Sequence, residues 1–279
     1  MHDLRLHIGT AHPVSALAHR CAPPRCVRED FDAQLLPNVD LTSFRLGSVE
    51  RADVPACVDV LMDGFYKDIL TLAKDEFSEE EMEQLRPVLT ALNGVFASLT
   101  RANLFLDAGR RLSPRLDDGG LQRGNPKDAL MLALQERATG TIVGVAELSQ
   151  QPRDGKVPGD FRLPLQLPWA RSPDGTSLGA PVAYVCNLAV RSQWRSRGHG
   201  TALVQACEAT ARAWGFNEVY LHAATKDTKL LDMYRGMDYR ALPIFDQPKW
   251  VLALAGREAT RYHCKSLGMK SSTVPQGAG

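Results

Sequence analysis

One short segment of the chain, residues 195–200, has the residue types and spacing of an anion-binding turn. Its sequence is Arg195-Ser196-Arg197-Gly198-His199-Gly200, followed by Thr201. The glycines let a backbone approach a ligand closely, the first amides of a following helix lack intrahelical acceptors, and the arginine and threonine side chains can bind phosphate oxygens. The pattern predicts a pyrophosphate site. A glycine pair of this kind also marks tight strand-to-helix connections that bind nothing.

The segments on either side of this turn predict the strand and the helix that such a site requires. Residues 182–190 are a nearly continuous apolar run, typical of a buried strand. Residues 200–214 carry apolar side chains at helical spacing, and Gly215 follows as a helix stop. The turn therefore joins a strand to a helix.

The rest of the chain predicts a mixture of strands and helices. A helix is expected after Asp53, with Pro55 in its first turn, and another from Ser78 to Leu106, with a Ser78/Glu81 capping box and with Pro87 as a break or kink. Residues 129–136 and 142–148 predict an antiparallel β-hairpin. The other predicted elements are strands at 43–50, 218–223, 239–245 and 249–254 and a helix at 228–237.

The chain is expected to form one catalytic domain, residues 43–254. A proline-rich loop at 149–181 would be inserted into it, and residues 255–279 would be a flexible tail. Residues 1–42 are expected to be disordered, and residues 1–28 contain four arginines and a single acid. They are either an organelle transit peptide or an ordinary disordered N-terminus.

Composition excludes several classes of partner. With a net charge of +1, the chain has no general field that would attract nucleic acid or anionic lipid, and no apolar run approaches bilayer length. The six cysteines form no CxxC pair and no zinc-ligand spacing. We therefore expect no nucleic acid, membrane or metal partner, and buried thiols in a reducing compartment.

The turn and its neighbours resemble the GNAT acyltransferase superfamily. Residues 187–190 (Asn-Leu-Ala-Val) and 194–203 (Trp-Arg-Ser-Arg-Gly-His-Gly-Thr-Ala-Leu) match its R/Q-x-x-G-x-G/A motif, and residues 234–239 (Tyr-Arg-Gly-Met-Asp-Tyr) are similar to its L-Y-x-x-x-G-F/Y signature. The resemblance covers roughly residues 43–254. It implies an α/β (α+β) fold, in which helices flank a mixed, mostly antiparallel twisted sheet.

The resemblance also implies acetyl-CoA as cosubstrate. Backbone groups of Leu188, Ala189 and Val190 would bind the pantetheine arm, and the amides of Arg195, Ser196, Arg197, Gly198, His199, Gly200 and Thr201 would bind the pyrophosphate. Asp227 and Tyr234 complete the implied cofactor contacts. Two positions depart from the family pattern. Asp238 replaces a glycine before the last aromatic residue, and Asp227 replaces an asparagine at the start of the Tyr234 helix.

Four titratable residues are the catalytic candidates. The resemblance gives Tyr234 the role of a general acid that protonates the departing thiolate. His222 and Tyr184 resemble the pair that holds a base water in some protein N-terminal acetyltransferases, and Glu147 is the second candidate base. Each could instead be structural: a core tyrosine, a strand histidine satisfied by its neighbours, or an exposed strand glutamate.

The expected acceptor class comes from the resemblance of residues 184–190 and 220–222, which look most like the plastid GNAT enzymes of plants and algae. We expect acetyl transfer to protein N-terminal α-amines, with lysine ε-amines as second substrates, by direct attack and in the chloroplast stroma. A small-molecule amine acetyltransferase and a non-catalytic CoA-binding module are the alternatives, and mitochondrion or cytosol are the alternative locations. The oligomeric state is not indicated.

Overall fold

The computed structural model describes residues 27–28, 42–74, 76–116, 129–155, 181–246 and 259–268. Eight strands form one sheet in the order β1-β2-β3-β4-β5-β6-β8-β7. All neighbouring pairs are antiparallel except β5 and β6, which are parallel. The strands are β1 Val27–Arg28, β2 Phe44–Val49, β3 Ala129–Glu136, β4 Ile142–Pro152, β5 Pro181–Val190, β6 Glu218–Ala224, β7 Arg240–Ala241 and β8 Thr260–Ser266.

Helices cover both faces of this sheet. The helices are α1 Val54–Phe65, α2 Ile69–Ala73, α3 Glu79–Leu116, α4 His199–Ala213 and α5 Thr228–Gly236. Alternation along β4 separates the two faces, because Val145 packs in the cluster that contains the α1 residues and Ala146 packs in the cluster that contains the α4 residues. None of the helices among the described residues combines the length and apolarity that a membrane span needs.

Most of the predicted elements are present. The hairpin of β3 and β4 is antiparallel, and Gly215 ends α4 with a φ of 89°. The Ser78/Glu81 capping box also forms, since the Glu81 carboxylate accepts hydrogen bonds from the Ser78 amide (2.9 Å) and hydroxyl (2.7 Å). Pro87 does not break α3, which continues ten residues beyond its predicted end at Leu106.

Two further boundaries differ from the sequence-based predictions. β4 extends to Pro152, so the first residues of the predicted 149–181 loop belong to a strand. The predicted strand at 239–245 contains only Arg240–Ala241, and a 3₁₀ turn at Pro243–Phe245 follows because a proline amide cannot donate to a ladder. The predicted strand at 249–254 and the expected loop at 156–180 lie outside the described residues, as does the N-terminal segment except for β1.

The prediction of a flexible tail from residue 255 is wrong for β8. This strand lies between β6 and β7 and pairs with β6 along its whole length. Its two cations obscure the strand pattern in the sequence. In the structure each has a carboxylate partner, because Arg261 binds Asp246 at 2.7 Å and Lys265 binds the buried Glu208 at 2.7 Å.

Tyr262 of β8 anchors an aromatic cluster on the sheet face opposite α4. It is 2% exposed, and its ring centroid lies 5.1 Å from Tyr220, 4.7 Å from His222 and 5.2 Å from Phe245. The cluster ties the C-terminal strand to β6. It therefore supports the strand that carries one of the catalytic candidates.

We predict that Tyr262→Ala lowers the free energy of unfolding by about 3–5 kcal/mol, because it removes a fully buried aromatic ring. Urea denaturation measures the change. Ser266→Ala at the exposed end of the same strand is the control and should shift stability by less than about 0.5 kcal/mol. Equal effects of the two substitutions would show that β8 contributes little to the folded state.

Candidate active site

The centre of the site is an opening between the two parallel strands. The pairing of β5 with β6 consists of Ala183 with Val219, Tyr184 with Tyr220 and Val185 with Leu221, and it ends there. Both strands continue, β5 to Val190 and β6 to Ala224. The strands therefore diverge, and among the described strands none pairs with the β6-facing edge of residues 186–190. This edge offers backbone donors and acceptors to a ligand.

A β-bulge in β5 accompanies the divergence. Val145 of β4 faces Ala189, but Glu147 faces Cys186, so two β5 residues stand opposite Ala146 alone. The first of them, Asn187, has a φ of 51°, a conformation that asparagine adopts more readily than most residues. Its side-chain amide donates to the Glu147 carboxylate at 2.8 Å. No role was predicted for Asn187 from the sequence, although a single polar amide side chain within an apolar strand can indicate a buried hydrogen bond.

The turn after β5 has the backbone geometry of an anion site. A 3₁₀ turn at Ser192–Trp194 is followed by Ser196 and Gly198 with φ values of 60° and 81°. The first hydrogen bond of α4 runs from the Ala202 amide to the Gly198 carbonyl at 3.0 Å. The helix amides that precede Ala202 therefore have no acceptor within the helix and carry the positive end of its dipole.

Arg195 holds this turn in place. Its Nε donates to the Val190 carbonyl at 2.9 Å, and its Nη2 donates to the Asp63 carbonyl near the end of α1 at 3.1 Å. The Asp63 carboxylate in turn accepts from the Ser192 amide at 2.5 Å. The Arg195 side chain thus anchors the turn to β5 and α1, while the exposed Arg197 guanidinium stacks over the Trp194 ring at 5.2 Å.

His199 contributes its backbone and its packing to the turn. Its ring is 8% exposed and lies 4.7 Å from Phe44 and 5.9 Å from Trp194, measured between ring centroids. Burial, and then the charge of Arg197, lowers the pKa of His199. The ring is therefore neutral at physiological pH, and the start of α4 carries no histidine charge.

Helix α5 carries Tyr234, and the two aspartates that depart from the family pattern lie at its two ends. The Asp227 carboxylate caps the helix by accepting from the Leu230 amide at 3.0 Å. Asp238 adopts the left-handed conformation, with a φ of 66°, that a glycine would otherwise supply. Both departures from the family pattern therefore keep the local geometry.

The side chain of Tyr234 is buried on the face of the sheet that α4 covers. It is 3% exposed and packs in the same cluster as α4. Burial raises its pKa above the ordinary value, with further contributions from Cys207 and Asp227. At neutral pH this group can donate a proton.

Tyr184 and His222 contact each other directly. The Tyr184 hydroxyl lies 2.8 Å from Nδ1 of His222, and Nε2 of His222 lies 3.0 Å from the carbonyl of Gly155. A carbonyl can only accept, so Nε2 is the donor and Nδ1 accepts from the phenol. Burial, as the largest cause, raises the pKa of Tyr184 and keeps the phenol protonated. The expected water between these two side chains is replaced by a hydrogen bond.

Glu147 is buried rather than exposed. Its side chain is 1% exposed, and Tyr184 lies on the same face of the sheet, opposite α4. The opening thus has a phenol packed against α4 on one face and a carboxylate on the other. Tyr184 and His222 lie on the two strands that diverge, Glu147 lies on the neighbouring β4, and Tyr234 lies on α5.

Comparisons with known proteins give a family match, a curated relative and matching solved structures. The sequence profile of the acetyltransferase (GNAT) family matches residues 99–239. A curated relative, the chloroplastic GCN5-related N-acetyltransferase 4 of Arabidopsis thaliana, is 30% identical over 69 residues, which is 25% of this chain and 24% of that protein. This chain therefore matches about a quarter of the length of that relative.

Two solved structures illustrate the structural similarity. The PaiA N-acetyltransferase of Thermoplasma acidophilum, in complex with coenzyme A, is 12% identical, covers 80% of this chain and 99% of its own, and has a TM-score of 0.44. A Corynebacterium glutamicum acetyltransferase, described as histone acetyltransferase HPA2 and related acetyltransferase, is 19% identical, covers 82% and 99%, and has a TM-score of 0.45. Because the family profile spans half of the sequence, this chain belongs to the acetyltransferase (GNAT) family.

Proposed function

We propose that this chain transfers the acetyl group of acetyl-CoA to the α-amine of protein N-termini, with lysine ε-amines as second substrates. The observation that carries the proposal is the β5–β6 opening, with the buried Tyr234 phenol on one face and the buried Glu147 carboxylate on the other. An amine that attacks a thioester needs a proton acceptor before attack and a proton donor for the leaving thiolate. We assign the first role to Glu147 and the second to Tyr234.

The residues around the opening fit the cosubstrate. The backbone edge of Leu188, Ala189 and Val190 would bind the pantetheine arm, and the amides from Ser196 to Thr201 would bind the pyrophosphate. A Cβ atom built at Gly198 would meet no described atom within 4 Å, so there is open space beside the turn at this residue. The bound cosubstrate supplies an activated acetyl thioester.

Tyr234 is the proton donor in this proposal. Its raised pKa keeps the phenol protonated at neutral pH, so its hydroxyl can donate a hydrogen bond, and then the proton, toward the sulfur as the thiolate departs. Asp227 and Asp238 fix both ends of α5 and thereby the position of the phenol. They are positioning residues.

Glu147 is the proposed base. A carboxylate has several lone pairs, so Glu147 can accept from Asn187 and still bind an ammonium. His222 already uses Nδ1 for Tyr184 and Nε2 for Gly155, so it would have to give up the phenol before it accepted a proton. The Tyr184–His222 pair is therefore assigned to positioning β6 beside the opening.

The first prediction concerns the acceptor. With acetyl-CoA and a panel of N-terminal peptides, internal-lysine peptides and small amines, we expect acetylation of peptide α-amines first and of lysines more slowly, as detected by mass spectrometry. Tyr234→Phe should lower kcat by about 100-fold, since it removes the proton donor and keeps the ring. Acetylation of small amines alone would assign the chain to the small-molecule class, and CoA binding without product would contradict catalysis.

The second prediction separates the two candidate bases. Glu147→Gln should lower the rate by about 100-fold at neutral pH, and the loss should shrink as the pH rises above the acceptor's pKa of about 8, where the α-amine deprotonates without help. His222→Gln is the matched control and should lower the rate less, with no recovery at high pH. Steady-state pH–rate profiles of the two variants measure this. The reverse pattern would assign the base to His222.

The third prediction concerns location. We propose that the chain acts in the plastid, because residues 1–28 are arginine-bearing and acid-poor and because the curated relative is described as chloroplastic. A fusion of residues 1–45 to a fluorescent protein should accumulate in plastids of plant or algal cells. The same fusion with the arginines replaced by glutamate is the control and should stay outside. Cytosolic or mitochondrial signal from the unmodified segment would contradict the assignment.

A further inference from the structure

Asp63, near the C-terminal end of α1, contacts both ends of the 3₁₀ turn that precedes α4. At the first end, its carboxylate accepts hydrogen bonds from the Ser192 amide at 2.5 Å and from the Ser192 hydroxyl at 3.3 Å. At the other end, Nη2 of Arg195 donates to the Asp63 carbonyl at 3.1 Å and lies 3.8 Å from the carboxylate. One residue of α1 therefore holds the turn at its start and at its end.

The end of α1 reaches the turn because it lies directly against β5. A Cβ atom built at Gly64 would lie 2.8 Å from the Cβ atom of Ala189, which is closer than two such atoms approach in proteins. Neither atom is the end of a flexible side chain, so a larger residue at position 64 would push α1 and β5 apart. The glycine therefore allows the approach that brings Asp63 within hydrogen-bond distance of Ser192.

The hydrogen bonds contribute more to this attachment than the ion pair does. The side chains of Arg195 and Asp63 are 50% and 34% exposed, and an exposed ion pair at 3.8 Å stabilises little. The Ser192 amide is part of the main chain of the turn, and a hydrogen bond to a carboxylate is stronger than one to a neutral acceptor. The Asp63 carboxylate therefore fixes the position of the backbone where the turn begins.

A fixed backbone raises the affinity of the anion site that follows it. Ser196 and Gly198 have φ values of 60° and 81°, and the first amides of α4 lack acceptors within the helix. A loop that already has its bound conformation loses less conformational entropy when the ligand binds. The charge of Asp63 would by itself repel a pyrophosphate, so its contribution to binding must come from the position that it gives to the main chain.

We propose that Asp63 is a positioning residue for this turn and thereby sets a preference for coenzyme A over thiols that lack the pyrophosphate. This role rests on the proposed binding of the pyrophosphate to the amides from Ser196 to Thr201. Pantetheine has the arm that β5 would bind and has no pyrophosphate, so its affinity should not depend on the turn. Asp63 therefore acts on one part of the cosubstrate and leaves the other part unaffected.

Isothermal titration calorimetry of the full chain with coenzyme A and with pantetheine, in the absence of any acceptor, tests the proposal. Asp63→Ala should raise the Kd for coenzyme A by about 10-fold and leave the Kd for pantetheine unchanged. Asp63→Asn keeps an oxygen that can accept from the Ser192 amide, so it should restore most of the affinity for coenzyme A. Asp59→Ala is the matched control, since Asp59 lies one turn earlier on α1 and pairs with Arg101 of α3, and it should change neither Kd.

Amide hydrogen exchange of residues 191–198 tests the cause of the lower affinity. In Asp63→Ala these amides should exchange faster with solvent, while the far-ultraviolet circular dichroism spectrum stays that of the wild type. An unchanged affinity for coenzyme A in Asp63→Ala, an equal loss for the two ligands, or the same loss in Asp59→Ala would each overturn the proposal. A wild-type chain that binds coenzyme A no more tightly than pantetheine would contradict the placement of the pyrophosphate itself. None of these outcomes depends on which amine is acetylated.

Discussion

The early end of the β5–β6 pairing is the constraint on which the site depends. A parallel pair that continued to Val190 would consume the backbone edge that this site exposes. The bulge at Asn187 is the local cause, because two β5 residues occupy the space that one would fill and the strand bends away from its neighbour. A buried carboxylate on β4 holds the bulge through the Asn187 amide. The opening is therefore a built-in feature of the strand.

The sheet tolerates the short β5–β6 pairing because side chains pack on both of its faces and stabilise the two strands where hydrogen bonds between them are absent. On one face α4 and α5 contribute Leu203, Cys207 and Tyr234 to the main cluster. On the other face Tyr184, Tyr220 and Tyr262 form a separate aromatic cluster. Burial of this much apolar surface on both sides holds two strands that share only three residue pairs.

The same division of faces separates the proposed acid from the proposed base. Tyr234 packs in the cluster that contains α4, and Glu147 lies on the opposite face of the sheet. Burial keeps the Tyr234 phenol protonated. The half-buried His222 is held by its hydrogen bonds with Tyr184 and Gly155.

The sequence by itself determined the local elements: the hairpin, the glycine turn, the cap at Asp227 and the left-handed Asp238 all follow from short-range preferences and are present. Tertiary structure alone decided what depends on distant partners. The strand Thr260–Ser266 was hidden by cations whose partners, Asp246 and Glu208, lie far away in the chain. The tertiary structure also decided three contacts of the site: the anchoring of Arg195, the direct Tyr184–His222 contact and the bulge at Asn187. The partners in these contacts are distant in the chain, so they leave no periodic signal in the sequence.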